Sequence, residues 1–321
     1  MIRVLNVPER DNSLYNFEQS ASYIAHGCLL ENIRLEAGQR GYSVDLKSFP
    51  DPKRADIVAE AKLQSGDNPE PDPLARHMEA RHTNRKEYLP DPISKDEQES
   101  LRLAAAKYSD IAVTFIEGPV KDEVAKAASV NEMVVLENRD LHSFLYGHIT
   151  WSDADDRETP GFLIDTLEIN GPPRVIFSAL RNWRLLQTAN LLGLSRTIAR
   201  QNARIYASGP SIAIFSADTT ERKTYLRLGM ALQRFWLAAE DAGISAQPIS
   251  GIALLARRLH EQRPASLSTA HQRIISAAAS TITRANSGAK PSVLFLMRIG
   301  RSAPASARTR RLPPNIRFVS T

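Results

Sequence analysis

Tyr23-Ile-Ala-His-Gly27-Cys-Leu-Leu30-Glu31-Asn-Ile-Arg-Leu35-Glu-Ala37-Gly-Gln-Arg-Gly41 aligns without gaps on Tyr225-Leu-Arg-Leu-Gly229-Met-Ala-Leu232-Gln233-Arg-Phe-Trp-Leu237-Ala-Ala239-Glu-Asp-Ala-Gly243, each residue of the second stretch lying 202 positions after its counterpart. In both stretches apolar residues recur at helical spacing, and a glycine falls where a helix C-cap belongs. The period is far too long for a solenoid. Two copies at this distance suggest two halves of one fold, or a symmetric dimer fused into one chain. The alternative is a pair of unrelated amphipathic helices that agree by chance.

The surrounding chain is ordinary in composition, with 321 residues of which 42% are hydrophobic and 24% charged. No apolar run approaches the ~18 residues that a bilayer span requires. Met1-Ile-Arg-Val-Leu-Asn-Val reads as a strand and not as a signal peptide. Cys28 is the only cysteine. It lies among helix-core positions and is expected to be a buried, inert thiol, so a reducing, cytoplasmic setting follows by default. The net charge of +5 is modest but uneven, with Arg298, Arg301, Arg308, Arg310, Arg311 and Arg317 in a stretch that holds no acid. A solvated tail and a phosphate site both fit this run. The lack of aromatic residues among these arginines argues against a nucleic-acid stacking platform.

The pattern along the chain is α+β. Strands are expected over 2–7, 43–49, 56–63, 111–117, 211–215 and 292–299. Helices are expected over 17–40, 74–80, 94–107, 120–139, 185–198, 220–242, 252–261 and 270–284. Ser94 and Glu97 form a capping-box pattern, and Thr220 is the expected N-cap of the second repeated helix. Residues 64–73 are dense in turn formers. Residues 140–200 hold two tryptophans and an acidic run (Asp153, Asp155, Asp156, Glu158) that reads as a solvated loop; this segment interrupts the pattern and is expected to be an insertion. His26, His142 and His148 have no partner spacing for a metal.

Three segments carry chemistry. Arg81-His82-Thr83-Asn84-Arg85 offers two planar guanidiniums and a hydroxyl, a donor set suited to a phosphate monoester. On its own a solvated charge cluster would explain it better. Gly243-Ile-Ser-Ala-Gln-Pro248-Ile249-Ser250-Gly251 reads as a tight turn that leaves backbone N–H groups free to face a ligand. Arg308-Thr-Arg310-Arg311-Leu312-Pro313-Pro314-Asn315 is a second basic element able to close on the same phosphate.

In this order the three segments resemble the nitroreductase family of FMN-dependent oxidoreductases. The resemblance implies a central, mainly antiparallel sheet flanked by helices, with two related halves forming a pseudo-dimer. It implies that Arg81, His82, Thr83 and Arg85 bind the flavin phosphate and reach the pyrimidine edge. Pro248, Ile249, Ser250 and Gly251 would lie by the reactive N5, with a backbone N–H near Gly251 as donor. Arg308 and Arg311 would close on the phosphate, and Gln233, the diverged counterpart of Glu31, would join the cofactor-binding set.

The repeat is similar to that of the single-chain branch, including Acg-type proteins, in which one half is degenerate. Residues 1–73 are then the degenerate first half, and residues 74–321 the half carrying the flavin motifs, with a lid-like insertion at about 140–200. Trp183 and Phe162 in that insertion fit either a flavin cover or core packing. The family's Ser-x-x-Asn-x-Gln-Pro-Trp stretch is expected before the first strand; Ser65-Gly66-Asp67-Asn68 only mimics its start, so the first half reads as lacking that segment. The implied activity passes hydride or electrons from NAD(P)H through FMN to a quinone or nitro compound, with no catalytic side chain and no metal. The second reading is a catalytically weak FMN-binding protein for storage, sequestration or sensing. A monomeric pseudo-dimer and a homodimer are both compatible, and neither a membrane nor nucleic acid is an expected partner.

Overall fold

The structure, a computed structural model, describes residues 1–65, 70–159, 161–311 and 315–318. β1 (Ile2–Leu5) precedes the first repeated helix, α1 (Ser20–Gln39), which is followed by β2 (Tyr42–Ser48) and β3 (Ile57–Ser65). β3 lies between β1 and β2 and is antiparallel to both. The Ser65–Asn68 decoy falls outside the described residues after Ser65.

α2 (Lys95–Ala106) begins at the expected capping box: Ser94 Oγ accepts from Glu97 N at 3.2 Å, and Glu97 Oε2 accepts from Ser94 N at 2.8 Å. β4 (Ala112–Ile116) follows. The helix expected over 120–139 is two helices, α3 (Gly118–Ala128) and α4 (Val130–Glu137). They part at Ser129, whose hydroxyl turns back to the Lys126 carbonyl and competes with the backbone ladder.

The 140–200 segment builds a small body of its own. α5 (Arg139–Gly147), β5 (Ile149–Thr150), α6 (Asp153–Glu158), β6 (Phe162–Leu163), α7 (Pro172–Ala179) and α8 (Trp183–Leu191) gather around Tyr146, Ile149, Ile164, Leu180 and Leu186. The acidic run is the helix α6 and not a solvated loop, because Ser152 caps it and acids favour a helix N-terminus. Its Asp156 is fully buried and accepts from the Thr150 hydroxyl. The helix expected over 185–198 breaks at Gly193, whose φ of 83° suits glycine, so α8 is followed by a separate α9 (Leu194–Ala207).

The remainder is β7 (Ser211–Ala217), the second repeated helix α10 (Arg222–Asp241), β8 (Ser245–Pro248), α11 (Gly251–His260), α12 (Thr269–Ala285) and β9 (Ser292–Gly300). Glu221, not Thr220, is the N-cap of α10. The second sheet has the order β4-β7-β9-β8, all antiparallel. Three of its strands reproduce the first sheet: the strand before the long helix and the strand after it flank a third, as β7-β9-β8 and as β1-β3-β2.

The two long helices pack on each other through matched residues. A Cβ on Gly27 would meet the Leu226 carbonyl oxygen and Gly229, and one on Gly229 would meet the Ile24 carbonyl oxygen and Gly27. One turn further on, Gln233 Nε2 donates to Asn32 Oδ1 at 2.7 Å, and Arg234 Nη1 donates to Glu31 Oε1 at 3.0 Å. The offset of 202 exchanges these two contacts, as a two-fold axis between α1 and α10 would. Cys28 sits in this seam, its thiol donating to the Gly229 carbonyl at 3.2 Å, and burial pushes its pKa up to about 11. Among the described residues, no helix is long and apolar enough to cross a membrane.

Candidate functional site

The Arg81–Arg85 segment is held against β8 and the stretch after β9 by Asn84. Buried Asn84 donates its backbone N–H to the Ala246 carbonyl at 3.2 Å and its side-chain amide to the Ala303 carbonyl at 2.9 Å. Further along, Leu89 N donates to the Arg301 carbonyl at 2.7 Å. Asn84, outside the expected donor set, is therefore the anchor of the segment.

Arg81 lays its guanidinium 4.3 Å over the Trp236 ring of α10, a cation–π contact. Its Nε is sealed from solvent and has no partner. Burial lowers its pKa most, and the like charge of Arg311 adds to that, while Glu240 opposes it. Arg311 reaches the same loop from the tail and donates to the Met78 carbonyl. Two cations thus converge, one with an orphaned buried donor, which is the arrangement that a phosphate oxygen satisfies. His82 turns away from it, with Nδ1 2.8 Å from the Ala80 carbonyl oxygen and 4.0 Å from Glu240. Thr83 is half-buried, and Arg308 is exposed. Arg310 lies 3.6 Å from buried Asp156 of α6. Leu312 to Pro314 of the tail motif lie outside the described residues.

Arg85 points into the 140–200 segment, donating to the Thr166 carbonyl at 3.1 Å with Phe162 5.9 Å from its guanidinium. Burial lowers its pKa, against the opposing influence of Tyr206, Tyr88 and Glu168. Glu168 in turn accepts from the backbone N–H and the hydroxyl of Ser306, each at 2.7 Å. The Arg81–Arg85 segment, the 140–200 segment and the tail meet here.

The Gly243–Gly251 stretch is not simply a turn. Ser245–Pro248 is the edge strand β8, where a proline without an N–H is tolerated. Ile249 N donates to the Leu296 carbonyl at 3.0 Å. The Ser250 hydroxyl donates to that carbonyl at 2.7 Å and accepts from Leu296 N at 2.8 Å, so this side chain locks the loop to β9. Gly251 opens α11, and a Cβ there would lie 2.3 Å from Asn131 Oδ1. Gln233 is taken up by the α1–α10 seam, with its Oε1 buried and unpartnered.

Sequence reasoning missed the polar cluster behind Gly251. Asn131 accepts the Tyr15 hydroxyl at 2.8 Å and donates to Glu132 Oε1 at 3.2 Å, and Tyr206 donates to that same oxygen at 2.8 Å. Burial pushes the Glu132 pKa up to about 7 against the lowering effect of the Tyr206 and Asn131 hydrogen bonds. These residues come from α4, α9 and the N-terminal loop, so no local pattern joins them. Arg298, counted in the arginine run, belongs with the strand expected over 292–299: it is a fully buried residue of β9 and no part of a solvated tail. Its guanidinium donates to Gln247 Oε1 at 2.6 Å and to the Ile205 and Lys86 carbonyls, each at 2.7 Å, and stacks 3.9 Å from the Tyr88 ring centroid. The apolar strand on either side of it was the available signal.

A separate groove of about 670 Å³, lined by Tyr225, Arg257, His260 and Glu261 among others, includes none of the motif residues. Among the described residues no group of three or more His, Cys, Asp and Glu could hold a metal ion.

The Nitroreductase family model matches residues 78–263. The chain belongs to the nitroreductase family. The matched span takes in Arg81–Arg85, the 140–200 segment and Gly251, and leaves Arg308 and Arg311 outside. A curated relative, the uncharacterized protein MT1398 of Mycobacterium tuberculosis (strain CDC 1551 / Oshkosh), is 26% identical over 250 residues, covering 76% of this chain. The match covers 34% of that protein, so this nitroreductase-family chain spans about a third of the length of the curated relative it matches. Two solved structures are also similar. One is a nitroreductase with bound FMN from Bacteroides fragilis, at 13% identity and a TM-score of 0.43, covering 78% of this chain and 100% of that one. The other is the FMN-dependent nitroreductase NfnB from Mycobacterium smegmatis in complex with NADPH, at 15% identity and a TM-score of 0.43, covering 77% and 98%.

Proposed function

We propose that this nitroreductase-family chain binds FMN between the Arg81–Arg311 pair and the Gly251 loop and acts as an NAD(P)H-dependent oxidoreductase. The buried, unpartnered Nε of Arg81 beside a second arginine carries the reading. Arg81, Thr83 and Arg311 hold the phosphate, Arg85 offsets negative charge at the pyrimidine edge, and the free N–H at the start of α11 faces the ring. When bound, FMN supplies two-electron chemistry between NAD(P)H and a small acceptor such as a quinone or nitro compound. The chain supplies position, charge and exclusion of water. Residues 1–73 serve as the degenerate half of a fused pseudo-dimer and residues 74–321 as the flavin-carrying half, in a reducing, cytoplasmic setting.

A second reading, flavin binding without turnover, is favoured by one observation. The 140–200 segment is tied down twice at one point beside the site, by Arg85 at Thr166 and by Ser306 at Glu168, as a closed lid would be. A visible spectrum of the purified protein with added FMN tests the shared claim, and protein that stays colourless and binds no FMN refutes it. Steady-state NAD(P)H oxidation by flavin-loaded protein then separates turnover from storage.

A further inference from the structure

The stretch from Ile169 to Ala217 holds six arginines and no aspartate or glutamate. Two of the six are taken up by the fold: Arg174 pairs with Asp165, and the Arg181 guanidinium lies 4.9 Å from the Trp151 ring centroid. Arg184 of α8 and Arg196, Arg200 and Arg204 of α9 are exposed, and their side chains make no ion pair or hydrogen bond among the described residues. The last three stand four residues apart. They form one stripe about 12 Å long, turned away from buried Ser195, Ala199 and Tyr206 of the same helix. Like charges at that spacing destabilise a helix, and no acid is interleaved to offset them.

The same region keeps apolar side chains out of its core. α7, α8 and α9 share a core that takes in Phe177, Leu180, Leu186, Leu194 and Ile198. Leu185 of α8 is left 48% exposed, and Leu191 and Leu192, at the turn into α9, are 86% and 90% exposed. Leu185 and Leu192 are seven residues apart, two turns along one line of α8, and the Gly193 turn sets the leucine pair at the head of the arginine stripe. A single exposed leucine is ordinary, but a leucine pair joined to a row of uncompensated arginines marks a contact surface.

A bilayer interface satisfies both kinds of side chain at once, since acyl chains take the leucines and headgroup phosphates take the guanidiniums. Nucleic acid would take the arginines and leave the leucines in water. A second copy of this chain would cover the leucines and bring two arginine stripes toward each other. We propose that the α8–α9 face is a peripheral docking surface for an anionic lipid bilayer, with Leu191 and Leu192 entering the headgroup–acyl boundary and Arg184, Arg196, Arg200 and Arg204 meeting lipid phosphates. Such a contact needs no spanning helix and does not depend on the flavin reading.

The test is flotation of the purified chain with vesicles of phosphatidylcholine alone, and of phosphatidylcholine mixed with phosphatidylglycerol, at low and raised salt. Wild type should float with the anionic vesicles and not with the neutral ones, and salt should weaken the binding. Arg196→Gln/Arg200→Gln/Arg204→Gln should lower the partition constant roughly 100-fold, the effect of removing three charges near the surface. Leu191→Ser/Leu192→Ser should lower it by about tenfold or more at either salt concentration, because burial of apolar area is not screened. All five positions are exposed, so both variants should keep the wild-type circular dichroism and melting temperature. A wild type that ignores anionic vesicles overturns the proposal. So does vesicle binding that survives the leucine substitutions; equal affinity for a DNA duplex then assigns the arginines to nucleic acid. A wild type that fails to float but dimerises, with the leucine variant monomeric, hands the face to a second copy and overturns it as well.

Discussion

Gly27 of α1 and Gly229 of α10 lie back to back, so that a Cβ on the first would fall 2.1 Å from the Leu226 carbonyl oxygen and a Cβ on the second 2.0 Å from that of Ile24. Both obstacles are backbone and cannot swing aside. Gly229→Ala and Gly27→Ala should each force the helices apart and destabilise the fold by roughly 1–3 kcal/mol or more. Because the two residues share one contact, the double variant should cost less than the sum of the singles. Urea denaturation reads this directly, and a midpoint unchanged from wild type would refute the close crossing.

The phosphate assignment separates the arginines of the tail. Arg81→Ala and Arg311→Ala should each weaken FMN binding about 10- to 100-fold, the range for losing a hydrogen bond to a charged group. Exposed Arg308 should tolerate alanine with little change. Fluorescence titration of the three variants decides it; equal losses at Arg308 and Arg311 would return the tail to a diffuse electrostatic role.

Arg298 should behave as a structural residue despite its charge. Removing it strands Gln247 Oε1 and the Ile205 and Lys86 carbonyls in the interior. Arg298→Ala should cost roughly 3 kcal/mol or more, and lysine should not restore it, because an ammonium lacks the planar fork that meets three directions at once. Thermal or urea unfolding of both variants provides the measurement.

Glu132 also sets a pH dependence of stability. Its pKa is raised from 4.5 to about 7 in the fold, so the native state holds a proton that the unfolded chain has already released. Its contribution is fully present below about pH 4.5 and is lost as pH climbs through about 7. The penalty above that range is of the order of 3 kcal/mol. Glu132→Gln should therefore be more stable than wild type at pH 8 and similar at pH 5, as followed by unfolding at both pH values.

The legible parts of the fold were those written in local chemistry. The Ser94–Glu97 box starts α2 where its residues said, and the duplicated stretches are helices of matched length. The break at Ser129 was not legible, since a serine inside an apolar helical pattern carries no stop signal. β8 was read only as a turn because four residues ending in proline resemble a loop until β9 pairs with them. In the candidate site, the arginines and Gly251 drew attention by type and order. Glu132 did not, because its meaning depends on Tyr206, 74 positions away, and, through Asn131, on Tyr15. Arg298 fell in two readings, the arginine run and the strand over 292–299, and only its burial in β9 decides for the strand.

The exchanged contacts between α1 and α10 bear on how this protein can vary. In a dimer of identical chains, the contact of Gln233 with Asn32 and that of Arg234 with Glu31 would have to be the same pair seen twice. Here one is neutral and the other ionic. Each can be altered by substitution without touching its twin, so a mutation that would strike a homodimer interface in two places strikes this one once. Selection can adjust one side of the seam while the other keeps the helices in register.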